Sequence, residues 1–79
     1  MNMNVLTIWE ADGSITRIPV PVDAVAIEMA RYFREEIRLP VMLAEVPDSM
    51  EYDEEETERG KLYINEWRNF NEKRLSVVK

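Results

Sequence analysis

The chain has 79 residues, 46% of them hydrophobic and 33% charged, with 16 acids against 10 bases and neither cysteine nor histidine. That length gives one domain burying about 60% of the surface its unfolded form exposes, which argues against a large enclosed active site. Lack of cysteine excludes disulfides, thiolate nucleophiles and cysteine-ligated zinc, and lack of histidine removes the commonest general base near neutral pH.

The net charge of −6 is unevenly spread. Residues 1–40 hold six acids and four bases, residues 41–60 eight acids and one base, and residues 61–79 two acids and five bases, giving local charges of −2, −7 and +3. Such asymmetry bears on partners and encounter rates rather than on fold. Met1-Asn2-Met3-Asn4 lacks the basic-then-apolar layout of a signal peptide, and no apolar run approaches the ~20 residues that span a bilayer. The expectation is a cytoplasmic protein without membrane association.

In chain order, the first predicted element is a β-hairpin. Val5 to Glu10 and Ile15 to Val20 are rich in β-branched and aromatic residues, and Asp12-Gly13 between them signals a two-residue type I′ turn. That turn sets Trp9 opposite Thr16, Thr7 opposite Ile18, Val5 opposite Val20 and Ile8 opposite Arg17. Val5, Trp9, Ile18 and Val20 then form the buried face, with Arg17 and Glu10 paired in water. Pro19 and Pro21 cannot donate to a ladder, so the second strand is expected at a sheet edge.

An amphipathic helix over about 23–38 follows. Asp23 is the expected N-cap, Val22 and Ile27 a hydrophobic staple, and Ala26, Ile27, Ala30, Phe33 and Ile37 the apolar stripe. Glu28–Arg31 and Glu35–Arg38 pair at three-residue spacing on the outer face, adding about 0.2–0.5 kcal/mol each. Leu39-Pro40 stops the helix. Val41 to Val46, apolar and bounded by prolines, reads as a short strand covered on both faces. Residues 48–60 read as an acidic loop or a short helix capped by Asp48-Ser49 and ended by Gly60. The last nineteen residues fit either a hairpin turning at Asn69 to Asn71, with Leu75 to Val78 as a strand, or a helix with Tyr63, Trp67, Phe70 and Arg74 on one side. The three asparagines tip the expectation towards strands. The fold class is α+β: one domain over 1–79, with the hairpin and the helix packed on a small antiparallel or mixed sheet of one to three further strands.

The one unusual cluster is the acidic run. Glu51, Asp53, Glu54, Glu55, Glu56 and Glu58 fall within eight residues, with Glu45 and Asp48 just before them. A solvated face that keeps the protein soluble is one reading. The other is a recognition surface whose potential steers a basic partner and whose carboxylates imitate nucleic-acid phosphates. The run lacks the alternation and glycine of a calcium loop, so no metal or other cofactor is expected. Glu35-Glu36 project about 100° apart on a helix, no serine has a base to activate it, and two glycines cannot build a phosphate loop. These absences favour binding over catalysis. Arg68, Lys73, Arg74 and Lys79 lie near Trp67 and Phe70, but the net negative charge opposes direct nucleic-acid binding. The bases are expected instead to neutralise the acidic segment within the fold or across a dimer.

In size and charge profile, with its hairpin, helix and Glu51–Glu58 acidic run, the chain resembles the small acidic inhibitors encoded by bacteriophages, of the anti-CRISPR or antirestriction type. The resemblance implies a non-enzymatic inhibitor or modulator acting in the host cytoplasm on a larger protein or complex with a basic surface, with Glu51, Asp53, Glu54, Glu55, Glu56 and Glu58 as the partner-binding residues. The net +3 tail departs from the evenly acidic surface of DNA mimics. Two alternatives stand beside this reading: an assembly protein acting by homo-oligomerisation, and a small DNA-binding regulator or antitoxin using its basic C-terminus.

Overall fold

The computed structural model describes residues 2–47 and 51–77. It is an α+β fold with strands β1 (Asn2–Trp9), β2 (Ile15–Val20) and β3 (Val41–Pro47) in one antiparallel sheet of order β2-β1-β3. Helix α1 (Asp23–Tyr32) continues into a π-helical turn, Phe33–Ile37, and the chain closes with the long helix α2 (Glu54–Val77).

The hairpin forms where expected, but its loop is one residue longer than a type I′ turn. The Gly13 N–H donates to the Glu10 carbonyl at 3.1 Å and the Glu10 N–H to the Ser14 carbonyl at 2.9 Å, leaving Ala11-Asp12-Gly13 as the loop. Gly13 adopts φ 93°, the left-handed position such a three-residue loop requires. Asp12 secures it by accepting from the Ser14 backbone N–H and hydroxyl, which also holds its carboxyl below the usual range. The extra residue shifts the register by one, so Trp9 faces Ile15 and Ile8 faces Thr16. A one-residue shift exchanges the faces of a strand. On β1, therefore, Leu6 and Ile8 enter the core with Ile18 and Val20, while Trp9 is exposed. Val5 is buried as expected, on the other side of the sheet.

Helix α1 also differs in detail. Its N-cap is Val22, without a side-chain cap, and Asp23 sits in the first turn accepting a hydrogen bond from the Asn4 side-chain amide. Val22 and Ile27 are both exposed and form no staple. The buried stripe is Ala26, Met29, Ala30 and Phe33, with Ile37 left outside. The widened turn after Tyr32 rotates the last residues off that stripe, and Arg38 ends it in the left-handed region at φ 65°. The Leu39 N–H donates back to the Phe33 carbonyl. On the outer face, Arg31 and Glu35 approach at 4.0 Å in place of the two pairs expected. Strand β3 packs Val41 and Leu43 on the core, while on its other face Met42 is exposed and Ala44 and Val46 are half-buried.

The largest correction concerns the C-terminal third. Residues 54–77 form one continuous helix: the helical alternative for the last nineteen residues holds over the favoured hairpin, and the acidic stretch is the start of that same helix, which runs on through Gly60 instead of ending there. The expected cap at Asp48-Ser49 and the end of the expected strand at Val78 lie outside the described residues. Gly60 sits inside α2, buried, where a Cβ would meet Ile18 Cγ1 at 3.4 Å. It brings the helix axis close to β2. One turn further on, Tyr63, Ile64 and Trp67 pack on the core, and Phe33 stacks edge-on against Tyr63 with ring centroids 5.1 Å apart.

Candidate functional site

Helix α2 is fixed to the edge of β2 by polar side chains, and this attachment decides where the acids point. Backbone groups at Ile15, Arg17 and Pro19 face away from β1, since the paired positions Thr16, Ile18 and Val20 face towards it. Glu56, only 3% exposed, accepts the outward Arg17 backbone N–H at 2.8 Å. The same carboxylate takes the Arg17 guanidinium at 2.7 Å and 2.9 Å. Arg17 is thus paired with Glu56 and not with Glu10. The Tyr52 ring covers the guanidinium, 5.2 Å from its centroid. The Arg17 side-chain bond holds the Glu56 carboxyl below the ordinary carboxylate range against the opposing effect of burial, and raises the guanidinium in return.

A second polar cluster lies beside this pair. The buried Thr16 hydroxyl donates to Glu10 Oε2 at 2.7 Å and accepts from Arg59 Nε at 2.8 Å, while Arg59 Nη2 donates to the outward Ile15 carbonyl at 3.1 Å. Tyr63 donates its phenol to Glu10 Oε1 at 2.6 Å. Burial first, and then this bond to Glu10, push the Tyr63 phenol well above its ordinary range. Among the described residues no buried side-chain polar atom lacks a partner.

The six acids singled out from the sequence therefore divide. Glu56 is a structural anchor. Glu51 and Asp53, just before the helix, and Glu54, Glu55 and Glu58 in its first turns are exposed. The Asp53 carbonyl accepts the Thr57 N–H and hydroxyl, both at 2.9 Å, which ties the start of the helix to its first turn. Glu58 is partly neutralised by Lys61 at 3.3 Å. Acids in the first turn and Arg74 near the end complement the helix dipole, so the charge asymmetry along the chain also stabilises α2. Arg74 lies about 30 Å from Glu54 at the rise of an α-helix, well beyond the ~8 Å screening length. Arg68, about 20 Å from Glu54 by the same rise, and Arg74 therefore do not neutralise the acidic start of the helix, contrary to the expectation for the C-terminal bases, whereas Lys79 lies outside the described residues.

Sequence reasoning missed Glu10, Thr16, Arg17, Arg59 and Tyr63 as the partners of this junction. One signal was available: Glu56, Gly60, Tyr63, Trp67 and Phe70 recur at helical spacing, a stripe disguised by a glycine and an acid at two of its positions. A recess between α1 and α2, about 200 Å³, is lined by Tyr32, Trp67, Phe70, Glu28, Glu35 and Arg74 among others, with Arg74 lying over the Phe70 ring. No three acids among the described residues are grouped so as to hold a metal ion, and none of the described helices is long and apolar enough to cross a membrane. Compared with known proteins, the chain matches no family model, no curated protein and no solved structure.

Proposed function

We propose that this is a non-enzymatic binding protein that inhibits or modulates a larger partner by engaging a basic surface of the kind that binds nucleic acid, in the manner of phage anti-defence proteins acting in the host cytoplasm. The observation that carries the reading is the division of the acids. Five of them, Glu51, Asp53, Glu54, Glu55 and Glu58, project from one end of the molecule, while the sixth, Glu56, is buried against Arg17 and fixes that end to the sheet. Carboxylates held on a rigid support lose little entropy on binding, and their summed field raises the encounter rate with a cationic surface. The test is affinity capture from host lysate with two baits: the parent chain, and a variant carrying Gln at the five exposed positions with Glu56 retained. Loss of one specific captured protein with the variant, and loss of the same protein from the parent bait at raised salt, is the expected result. Equal capture by both baits at moderate salt overturns the role given to these acids.

A further inference from the structure

The two edges of the sheet are finished differently. On β2 the outward Ile15 carbonyl is taken by Arg59, the outward Arg17 N–H by Glu56, and Pro19 has no N–H to offer. That edge is closed to a further strand. On β3 the outward groups follow from the ladder. The Trp9 N–H donates to the Pro40 carbonyl at 3.0 Å, so positions 40, 42, 44 and 46 turn their backbone groups towards β1, and Val41, Leu43, Glu45 and the Pro47 carbonyl face away. Among the described residues no hydrogen bond reaches these outward groups. The strand has one charged residue, Glu45, and prolines only at its ends, so it lacks the lysines, bulges or internal prolines that usually blunt an edge.

We propose that β3 pairs antiparallel with β3 of a second copy of this chain, about a two-fold axis through Ala44, to make a continuous six-stranded sheet. Ala44 is the midpoint of Val41–Pro47, so this register alone pairs the whole strand with itself. Each Leu43 exchanges both backbone bonds with Glu45 of the second copy, and each Val41 N–H meets the carbonyl of Pro47 of the second copy. Pro47, which cannot donate, falls at the end of the ladder, where a missing bond matters least. At the axis Ala44 meets its symmetry mate in a non-hydrogen-bonded pair, the closer of the two antiparallel spacings, which suits a methyl side chain. Glu45 lies across from Leu43, so no like charges stand directly opposed.

Charge and surface support the same occupant. Helix α2 and its acidic start lie against β2, the far edge of the sheet, so pairing through β3 keeps the two acidic ends apart despite a charge of −6 on each copy. On the sheet face opposite the helices, half-exposed Met42 gains the neighbouring Val46 of the second copy, extending an apolar strip that includes exposed Trp9 and Ile15. The pairing stands independently of the acidic surface.

Sedimentation velocity up to about 1 mM, the weak end of measurable association, tests it. The parent chain is expected to reach dimer mass. Ala44→Lys and Ala44→Glu each place like charges across the axis, and each is expected to weaken dimerisation at least tenfold with an unchanged far-UV spectrum. An equimolar mixture of the two restores the dimer. Hydrogen exchange of the parent supplies a readout that needs no variant: the Leu43 and Glu45 amides become protected as concentration rises. A parent that stays monomeric overturns the proposal. So do a dimer that survives in both variants, a mixture that fails to restore it, and amides whose protection ignores concentration.

Discussion

Removing the Glu56 carboxylate isolates what holds α2 on the sheet. In Glu56→Ala the Arg17 backbone N–H at the β2 edge loses its acceptor, at a cost of about 1–3 kcal/mol for an unsatisfied buried donor. The guanidinium loses two charge-assisted bonds of 2.7 Å and 2.9 Å. Because the Arg17 side chain is 32% exposed, it recovers part of that loss by turning into water, so this second contribution is discounted to about 1 kcal/mol. The expected destabilisation is about 2–4 kcal/mol, a fall in Tm on the order of 10–20 °C for a domain of this size. Glu56→Gln keeps an acceptor for the N–H and should lose about half as much. Glu54→Ala and Glu55→Ala, at exposed positions, should stay within about 0.5 kcal/mol. Urea unfolding followed by tryptophan fluorescence and far-UV circular dichroism measures all four. The pH dependence provides an internal check. The Glu56 carboxyl titrates lower in the folded chain than its unfolded value of 4.5, so its contribution is complete above that pH and is lost as the pH falls through the folded value. Glu56→Gln should therefore flatten the stability profile below about pH 4.5 relative to the parent. A Glu56→Ala protein as stable as the parent, or an acid profile unchanged by Glu56→Gln, refutes the anchoring argument.

Three further substitutions probe other junctions. Gly60→Ala places a methyl at ordinary contact distance, 3.4 Å, from Ile18 inside a helix, so thermal melts should show it about 0.5–1 kcal/mol more stable, whereas Gly60→Leu should overpack and destabilise by about 1–3 kcal/mol. Gly13→Ala meets no atom within 4 Å, so its cost is purely conformational; chemical denaturation should show a loss of about 1–2 kcal/mol, with Gly13→Asn losing less. Tyr63→Phe leaves Glu10 Oε1 without its donor and should cost about 1 kcal/mol in the same assay. Absorbance titration of the parent should show one tyrosine ionising only as the protein unfolds in alkali, and that late step should vanish in Tyr63→Phe.

The elements most legible in the sequence were those whose signals are local. Alternating β-branched residues around Asp12-Gly13 give a hairpin, and a glycine-free apolar stripe ended by Leu39-Pro40 gives α1. Register was less legible, because one extra loop residue exchanges Trp9 for Ile8 in the core, and only the sheet's packing against the helices rewards the difference. The helical course of 54–77 was hidden by a glycine and three asparagines. These carry weak helix propensity, and contact with β2 outweighs it: Gly60 lies against Ile18, and Tyr63 and Trp67 fill the core.

The acidic run shows the same boundary most sharply. Composition and spacing alone determined that this is an α+β chain with concentrated negative charge and neither histidine nor cysteine. They could not separate Glu56 from Glu55 or Glu54, which share its type and its surroundings in the chain. The separation comes from Arg17, 39 residues away, whose outward N–H and guanidinium need an acceptor at the edge of the sheet. Which carboxylate is buried and which are presented is a property of strand order and helix placement. Both follow from burying apolar surface across the whole chain, a sum that no local window contains.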